Sequence, residues 1–115
     1  MASLAKVYSD EKLKGLVYTP TFIVRRILDD IGYADSSILG KKIIDPACGD
    51  GRFLVDIAKR VIEFSPKNEL KQNLEHIHGW DINPSAVKEC IANLDELVSI
   101  SLDWNVRQTN SIKHI

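Results

Sequence analysis

A glycine-bearing turn, Asp45-Pro46-Ala47-Cys48-Gly49-Asp50-Gly51, joins a run with strand character to a run with helix character. This juncture restricts the fold more than any other feature of the chain. Before it, Lys41-Lys42-Ile43-Ile44-Asp45 is a short β-branched run bounded by Gly40 and Pro46. After it, Arg52 to Phe64 places Phe53, Leu54, Ile57, Ala58, Val61 and Ile62 on one helical face, with Asp56, Lys59, Arg60 and Glu63 on the other. Ser65-Pro66 stops that helix. The pattern then repeats. His76 to Ile82 reads as a second strand, Asn83-Pro84 as a cap-plus-proline helix start, and Ala86 to Val98 as a helix with Val87, Ile91, Leu94 and Val98 inward. Trp104 to Asn110 reads as a third strand, and the polar stretch Lys67 to Glu75 as a loop or a short extra helix. Strands alternating with helices demand parallel pairing and right-handed crossovers. The expected fold is therefore α/β and doubly wound, with about three parallel strands and helices on both faces.

Upstream, Thr19 is placed to cap a helix whose first position is Pro20. An apolar stripe of Phe22, Ile23, Ile27, Leu28 and Ile31 follows, with Arg25, Arg26, Asp29 and Asp30 on the wet side and Gly32 at the end. Residues 1–14 are polar and read as an N-terminal helical arm, leaving 15–115 as the folded unit. The whole chain, 115 residues, 44% hydrophobic and 27% charged, has an ordinary globular balance and makes one domain or part of one. No repeat or low-complexity segment is present. No apolar run approaches the roughly 18 residues of a membrane span, and Met1 to Lys6 lacks the pattern of a signal peptide. Cys48 and Cys90 form no disulfide framework, which suits a reducing cytoplasm. A net charge of −1 argues against a surface that holds nucleic acid by bulk electrostatics alone.

The turn carries the chemistry. Gly49 and Gly51 sit at the carboxyl end of a predicted parallel strand, where open α/β sheets bind ligands and where a Cβ would obstruct close approach. Where a dinucleotide fingerprint has its third glycine, this chain has Leu54. Asp45, at the strand's end, would repel a pyrophosphate and attract a cation or an ammonium. A nucleoside with a positive centre fits better than a ligand with two phosphates. Asp81 ends the second strand, where an acid accepts from ribose hydroxyls; its other reading is a cap for the helix at Pro84. Ile82 is placed either against an adenine face or in the core.

Other residues have plainer readings. His76 and His78 alternate on a strand and lack a third ligand, so no metal is expected. Cys48 fills a turn and has no histidine neighbour in sequence to activate it. Cys90 reads as half-buried filler and Trp80 as packing at the core's edge. Lys12, Lys14, Arg25 and Arg26 are either a solvated face or a phosphate contact.

Taken together, these motifs resemble the N-terminal part of S-adenosylmethionine-dependent DNA adenine-N6 methyltransferases of restriction–modification systems. Asp45 to Leu54 is similar to that family's cofactor loop, Gly79-Trp80-Asp81-Ile82-Asn83-Pro84-Ser85-Ala86 to its second motif, and Gly15-Leu16-Val17-Tyr18-Thr19-Pro20 to the segment beside the loop. The resemblance implies a Rossmann-like methyltransferase domain that binds S-adenosylmethionine. Tyr18, Thr19 and Pro20 would then lie at the methionyl end, with Thr19 and Pro20 lining the carboxylate site. Asp45 would face the methionyl amino group, directly or through water. Pro46, Ala47, Cys48, Gly49, Gly51 and Phe53 would form the loop, with backbone access at Ala47, Gly49 and Gly51. Asp81 would bind both ribose hydroxyls and Ile82 would pack on the adenine. Where the family carries an acid for the adenine amino group, this sequence has Thr109-Asn110-Ser111, and Asn110 would accept through its amide oxygen.

In that family an Asp or Asn, two prolines and an aromatic hold the flipped adenine. Pro20, Pro46, Pro66 and Pro84 are all single, so the motif is absent and no catalytic residue is assigned. The expectation is a cofactor-binding front half, inactive alone, with DNA gripped by a C-terminal part not contained in these residues. Either self-association through an exposed sheet edge, or weak cofactor binding for want of the remaining pocket wall, is expected as well. Two alternatives stay open: a methyltransferase acting on RNA, protein or small molecules, and a non-catalytic Rossmann-like interaction module. The 115-residue chain incubated with DNA and a radiolabelled methyl donor should leave the DNA unlabelled; detectable label in adenine would contradict this reading.

Overall fold

The structure, a computed structural model, describes residues 20–109. Tyr18, Thr19, Asn110 and the predicted arm at 1–14 lie outside the described residues. Helix α1 (Thr21–Asp30) begins one residue later than expected. Pro20 is its N-cap, with an extended ψ of 149°, and its carbonyl accepts from Ile23 and Val24 at 3.0 and 3.1 Å. The predicted stripe is also rotated. Val24 and Leu28, one turn apart, are the buried pair, while Phe22 is 72% exposed and Ile31, 38% exposed, lies past the helix end. Gly32, at φ +82°, ends the helix by letting the Tyr33 N–H reach back to the Leu28 carbonyl at 2.8 Å.

Strand β1 (Ile43–Asp45), helix α2 (Arg52–Phe64), helix α3 (Leu70–Leu74), strand β2 (Ile77–Asp81), helix α4 (Pro84–Asp95) and strand β3 (Asn105–Gln108) follow in order. Short 3₁₀ turns at Ser36–Ile38 and Lys67–Glu69 lie between them. The sheet is parallel with order β1-β2-β3, in register Asp45↔Gly79↔Val106. Asn83 caps α4, its side chain accepting from Ser85 N–H at 2.9 Å ahead of Pro84. The α/β reading with three parallel strands holds, and α2 has the expected bounds.

One part of it is corrected. Both crossovers move across the sheet in the same direction, and right-handed crossovers then put both helices on the same face. Helices α2 and α4 meet each other and both meet β2. Ile43, Ile77, Gly79 and Val106 face them and are buried, whereas Ile44, His78, Trp80 and Asn105 on the opposite face are only half-buried. Helices on both faces are thus not found among the described residues. Burial and the nearby charges of Lys42, Arg107 and His76 lower the His78 pKa from its ordinary value.

The outward face assigned to α2 needs a second correction. Asp56 is only 6% exposed, because α1 docks there. Arg60 closes the contact. Its Nε bonds Asp56 at 3.0 Å, Nη1 bonds Asp29 and the Tyr33 carbonyl at 2.7 Å each, and Nη2 bonds the Arg25 carbonyl at 3.1 Å. Arg25 reaches Asp56 from the other side at 3.5 Å. Beside this stitch the buried Tyr33 hydroxyl is pushed up to about 12 by desolvation, an effect the Arg60 charge partly opposes. Arg60→Ala should lower the unfolding free energy by about 3–5 kcal/mol, since Asp56 is left buried with its best partner gone. Asp29→Ala, removing a carboxylate whose side chain is 59% exposed, should cost less than about 1 kcal/mol. Urea unfolding of both variants checks the contrast, and equal losses would refute the stitch.

Candidate cofactor-binding site

The carboxyl ends of β1 and β2 bring the loop 45–51 and the tip Asp81-Ile82-Asn83 together. The loop is strung by its own backbone. Asp45 Oδ1 accepts from Ala47 N–H at 3.1 Å, Cys48 N–H donates to the Trp80 carbonyl at 2.8 Å, and Gly51 N–H donates to the Cys48 carbonyl at 2.9 Å. Gly49 and Gly51 have φ of +55° and +91°, a region that L side chains rarely adopt. Gly51 has a second reason to be glycine: a Cβ there would sit 2.7 Å from Cys90 Sγ and 3.3 Å from its Cα. The backbone access assigned to it is therefore joined by a packing demand.

Asp81 is the hub. Its Oδ2 accepts from Gly49 N–H at 2.9 Å, across a separation of 32 residues, and its Oδ1 accepts from Asn83 N–H at 2.9 Å. The helix cap is Asn83, so Asp81 is not the cap of α4. A carboxylate has about four lone-pair sites; two receive these backbone donors and two are left over. Ile82 beside it is 62% exposed, which rules out core packing. Asp45 is 6% exposed and held under the loop. Asp50 turns back on the start of α2, accepting from Arg52 N–H and Nε at 3.3 Å each.

Cys48 and Cys90, from the loop and from α4, are free thiols with no exposure. Cys90 is thus fully buried, against the half-buried expectation. A hydrogen bond to Cys90, burial, and the charges of Asp45 and Asp81 all push the Cys48 thiol pKa up, so it stays protonated and is no nucleophile. Phe53 is partly buried against the core and Pro46 and Ala47 are half-buried at the loop's start. Pro20 is exposed at the start of α1.

Two residues of consequence were not singled out from sequence. Gly79 lies under the loop, where a Cβ would collide with Leu54 and stand 3.1 Å from the Cys48 Cβ. Asn93 reaches from α4 to the Asp50 carbonyl at 2.8 Å. A glycine inside a strand is the one signal that marked the first; nothing local marked the second. No group of three or more metal-ligating side chains occurs among the described residues, and no helix among them is long and apolar enough to cross a membrane. A cleft of about 380 Å³ between α1 and α2 is lined by Arg25, Asp29, Asp56, Lys59, Arg60 and Glu63. It lies turns away from the loop, and its charges are largely spent on one another in the Arg60 stitch.

Residues 2–114 match the N-6 DNA Methylase family. The chain is 30% identical, over 125 aligned positions, to the adenine-specific methyltransferase PglX of Streptomyces coelicolor, an alignment that covers 90% of this chain and 10% of PglX. Among solved structures it resembles a chain of the cryo-electron-microscopy DrdV–DNA complex, with a TM-score of 0.60, 22% identity, and coverage of 90% of this chain and 11% of that one. At that identity the likeness concerns the fold. The chain spans about a tenth of the length of these relatives. With the match extending over nearly all of its residues, the chain belongs to the N-6 DNA methylase family.

Proposed function

We propose that this chain is the S-adenosylmethionine-binding front part of a restriction–modification DNA adenine-N6 methyltransferase, acting in the cytoplasm. Family membership implies a methyl donor. The observation that carries the identity of that donor is Asp81: a carboxylate at the tip of β2, already fixed by two backbone N–H groups, with lone pairs to spare and an exposed isoleucine beside it. That pairing suits a ribose and the face of its base. Asp45, Asp50 and Asp81 around one loop disfavour a pyrophosphate and favour a cationic ligand. When bound, S-adenosylmethionine supplies a sulfonium-activated methyl group.

In this reading Asp81 accepts from both ribose hydroxyls and Ile82 covers the adenine. Ala47, Gly49 and Gly51 let the ligand approach the backbone, Pro46, Cys48 and Phe53 shape the loop, and Asp45 faces the amino group. Tyr18, Thr19 and Pro20 take the methionyl end, and Asn110 the adenine amino group. Parts of the parent polypeptide outside 15–115 would bind DNA and flip the target base. PglX is named as adenine-specific and the DrdV complex contains DNA, which favours DNA adenine over RNA, protein or small-molecule acceptors. Strands β1 and β3 each pair on one side only among the described residues, so a further strand, from the same polypeptide or from a second copy, would add there.

Isothermal calorimetry with S-adenosylmethionine tests the reading. Wild type should bind, and Asp81→Ala should weaken binding by about 1.5–3 kcal/mol per lost bond, roughly tenfold to a hundredfold each. Because Asp81 also holds the loop, an analogue lacking both ribose hydroxyls separates the two roles. Wild type should discriminate against it and Asp81→Ala should not. Equal affinity of the two proteins for S-adenosylmethionine would sink the ribose assignment.

A further inference from the structure

The peptide groups of the loop are engaged one after another. The Ala47, Cys48, Gly49 and Gly51 N–H groups all donate within the protein, and the Cys48, Asp50 and Gly51 carbonyls all accept. Among the described residues the Gly49–Asp50 peptide is the exception: neither the Gly49 carbonyl nor the Asp50 N–H has a partner. Its two neighbours are clamped. The Cys48–Gly49 peptide is fixed through Gly51 N–H and Asp81, and the Asp50–Gly51 peptide through Cys48 and the Asn93 Nδ2 at 2.8 Å. The Asn93 bond spans 43 residues. It arises on the face of α4 that also carries Cys90 under Gly51, one turn earlier. One helix face thus supports the loop from beneath by packing and from the side by a hydrogen bond.

We propose that Asn93 is a positioning residue of the cofactor site, fixing the Asp50 carbonyl so that the open Gly49–Asp50 peptide is presented to the ligand. It acts on ligand affinity without touching the ligand. The proposal rests on the reading of this loop as the S-adenosylmethionine site. Gly49 and Gly51, both at positive φ, lack side chains that would restrain the intervening peptide, so its orientation depends on the bonds at either end. Leucine at 93 removes the donor while keeping the same heavy-atom branching. Aspartate keeps the shape but sets a second carboxylate against the Asp50 carbonyl.

The test joins calorimetry with S-adenosylmethionine to amide hydrogen exchange of Gly49 and Gly51 by NMR, on wild type, Asn93→Leu and Asn93→Asp. In the ligand-free variants the Gly51 amide should exchange at least tenfold faster than in wild type, through local opening of the loop. Affinity should fall about tenfold in Asn93→Leu and further in Asn93→Asp, while both still discriminate against the analogue without ribose hydroxyls. Faster exchange with unchanged affinity would mean a merely structural bond and overturn the proposal, as would unchanged exchange. If wild type binds no S-adenosylmethionine, the reading of the site fails, and the Gly51 exchange rate alone decides whether Asn93 holds the loop.

Discussion

The hydrogen bond from Gly49 N–H to the Asp81 carboxylate ties the loop after β1 to the tip of β2, and the rest of the site depends on it. A seven-residue turn containing two glycines has many conformations, and ordering it costs roughly 1–2 kcal/mol per residue in backbone entropy. The charged acceptor offsets part of that cost, because hydrogen bonds to an ionised group contribute more than neutral ones. The same carboxylate bends its own strand end back through Asn83 N–H. One side chain therefore sets the loop, the start of α4 and the position of Ile82 together.

Close approach makes this arrangement possible. Helix α2 starts directly over β2 because Gly79 leaves room for Leu54 and Cys48, and α4 lies against the loop because Gly51 leaves room for Cys90. A fully buried sulfur fills each contact. The glycines that a motif search reads as ligand glycines thus serve helix–sheet packing too. A thiol kept protonated by burial and by neighbouring carboxylates is an inert filler for such a space.

The order of elements, the bounds of α2 and the meeting of the loop with Asp81 were legible because each rests on local signals: hydrophobic period, glycine and proline punctuation, and an acid at a strand end. The misreadings share a different cause. Asp56 looks solvated by helical period, and only the docking of α1, with Arg60 beside it, explains its burial. Val24 outranks Phe22 because the rotation of α1 is set by what α2 presents. Ile82 had two open readings, and its exposure removes the core one. Asn93 and Gly79 matter through contacts 43 residues away and between neighbouring elements, and no window along the chain contains both partners. The two-sided sheet was expected from the alternation of strands and helices alone, yet the order β1-β2-β3 with right-handed crossovers places α2 and α4 on one face.

The start of α2 also bears on which ligand the loop can hold. A helix N-terminus following a glycine turn is ordinarily a place for phosphate, since its free N–H groups and dipole favour an anion. Here the chain provides its own anion. The Asp50 carboxylate, its side chain 14% exposed, takes the Arg52 N–H and lies against the Arg52 guanidinium. With that position filled, and with Asp45 and Asp81 on either side, added negative charge would be repelled. What the loop still offers is backbone at Gly49–Asp50, carboxylate lone pairs at Asp81, and an apolar surface at Ile82. In the proposed reading, the ligand that matches all three carries a ribose, a planar base and no phosphate.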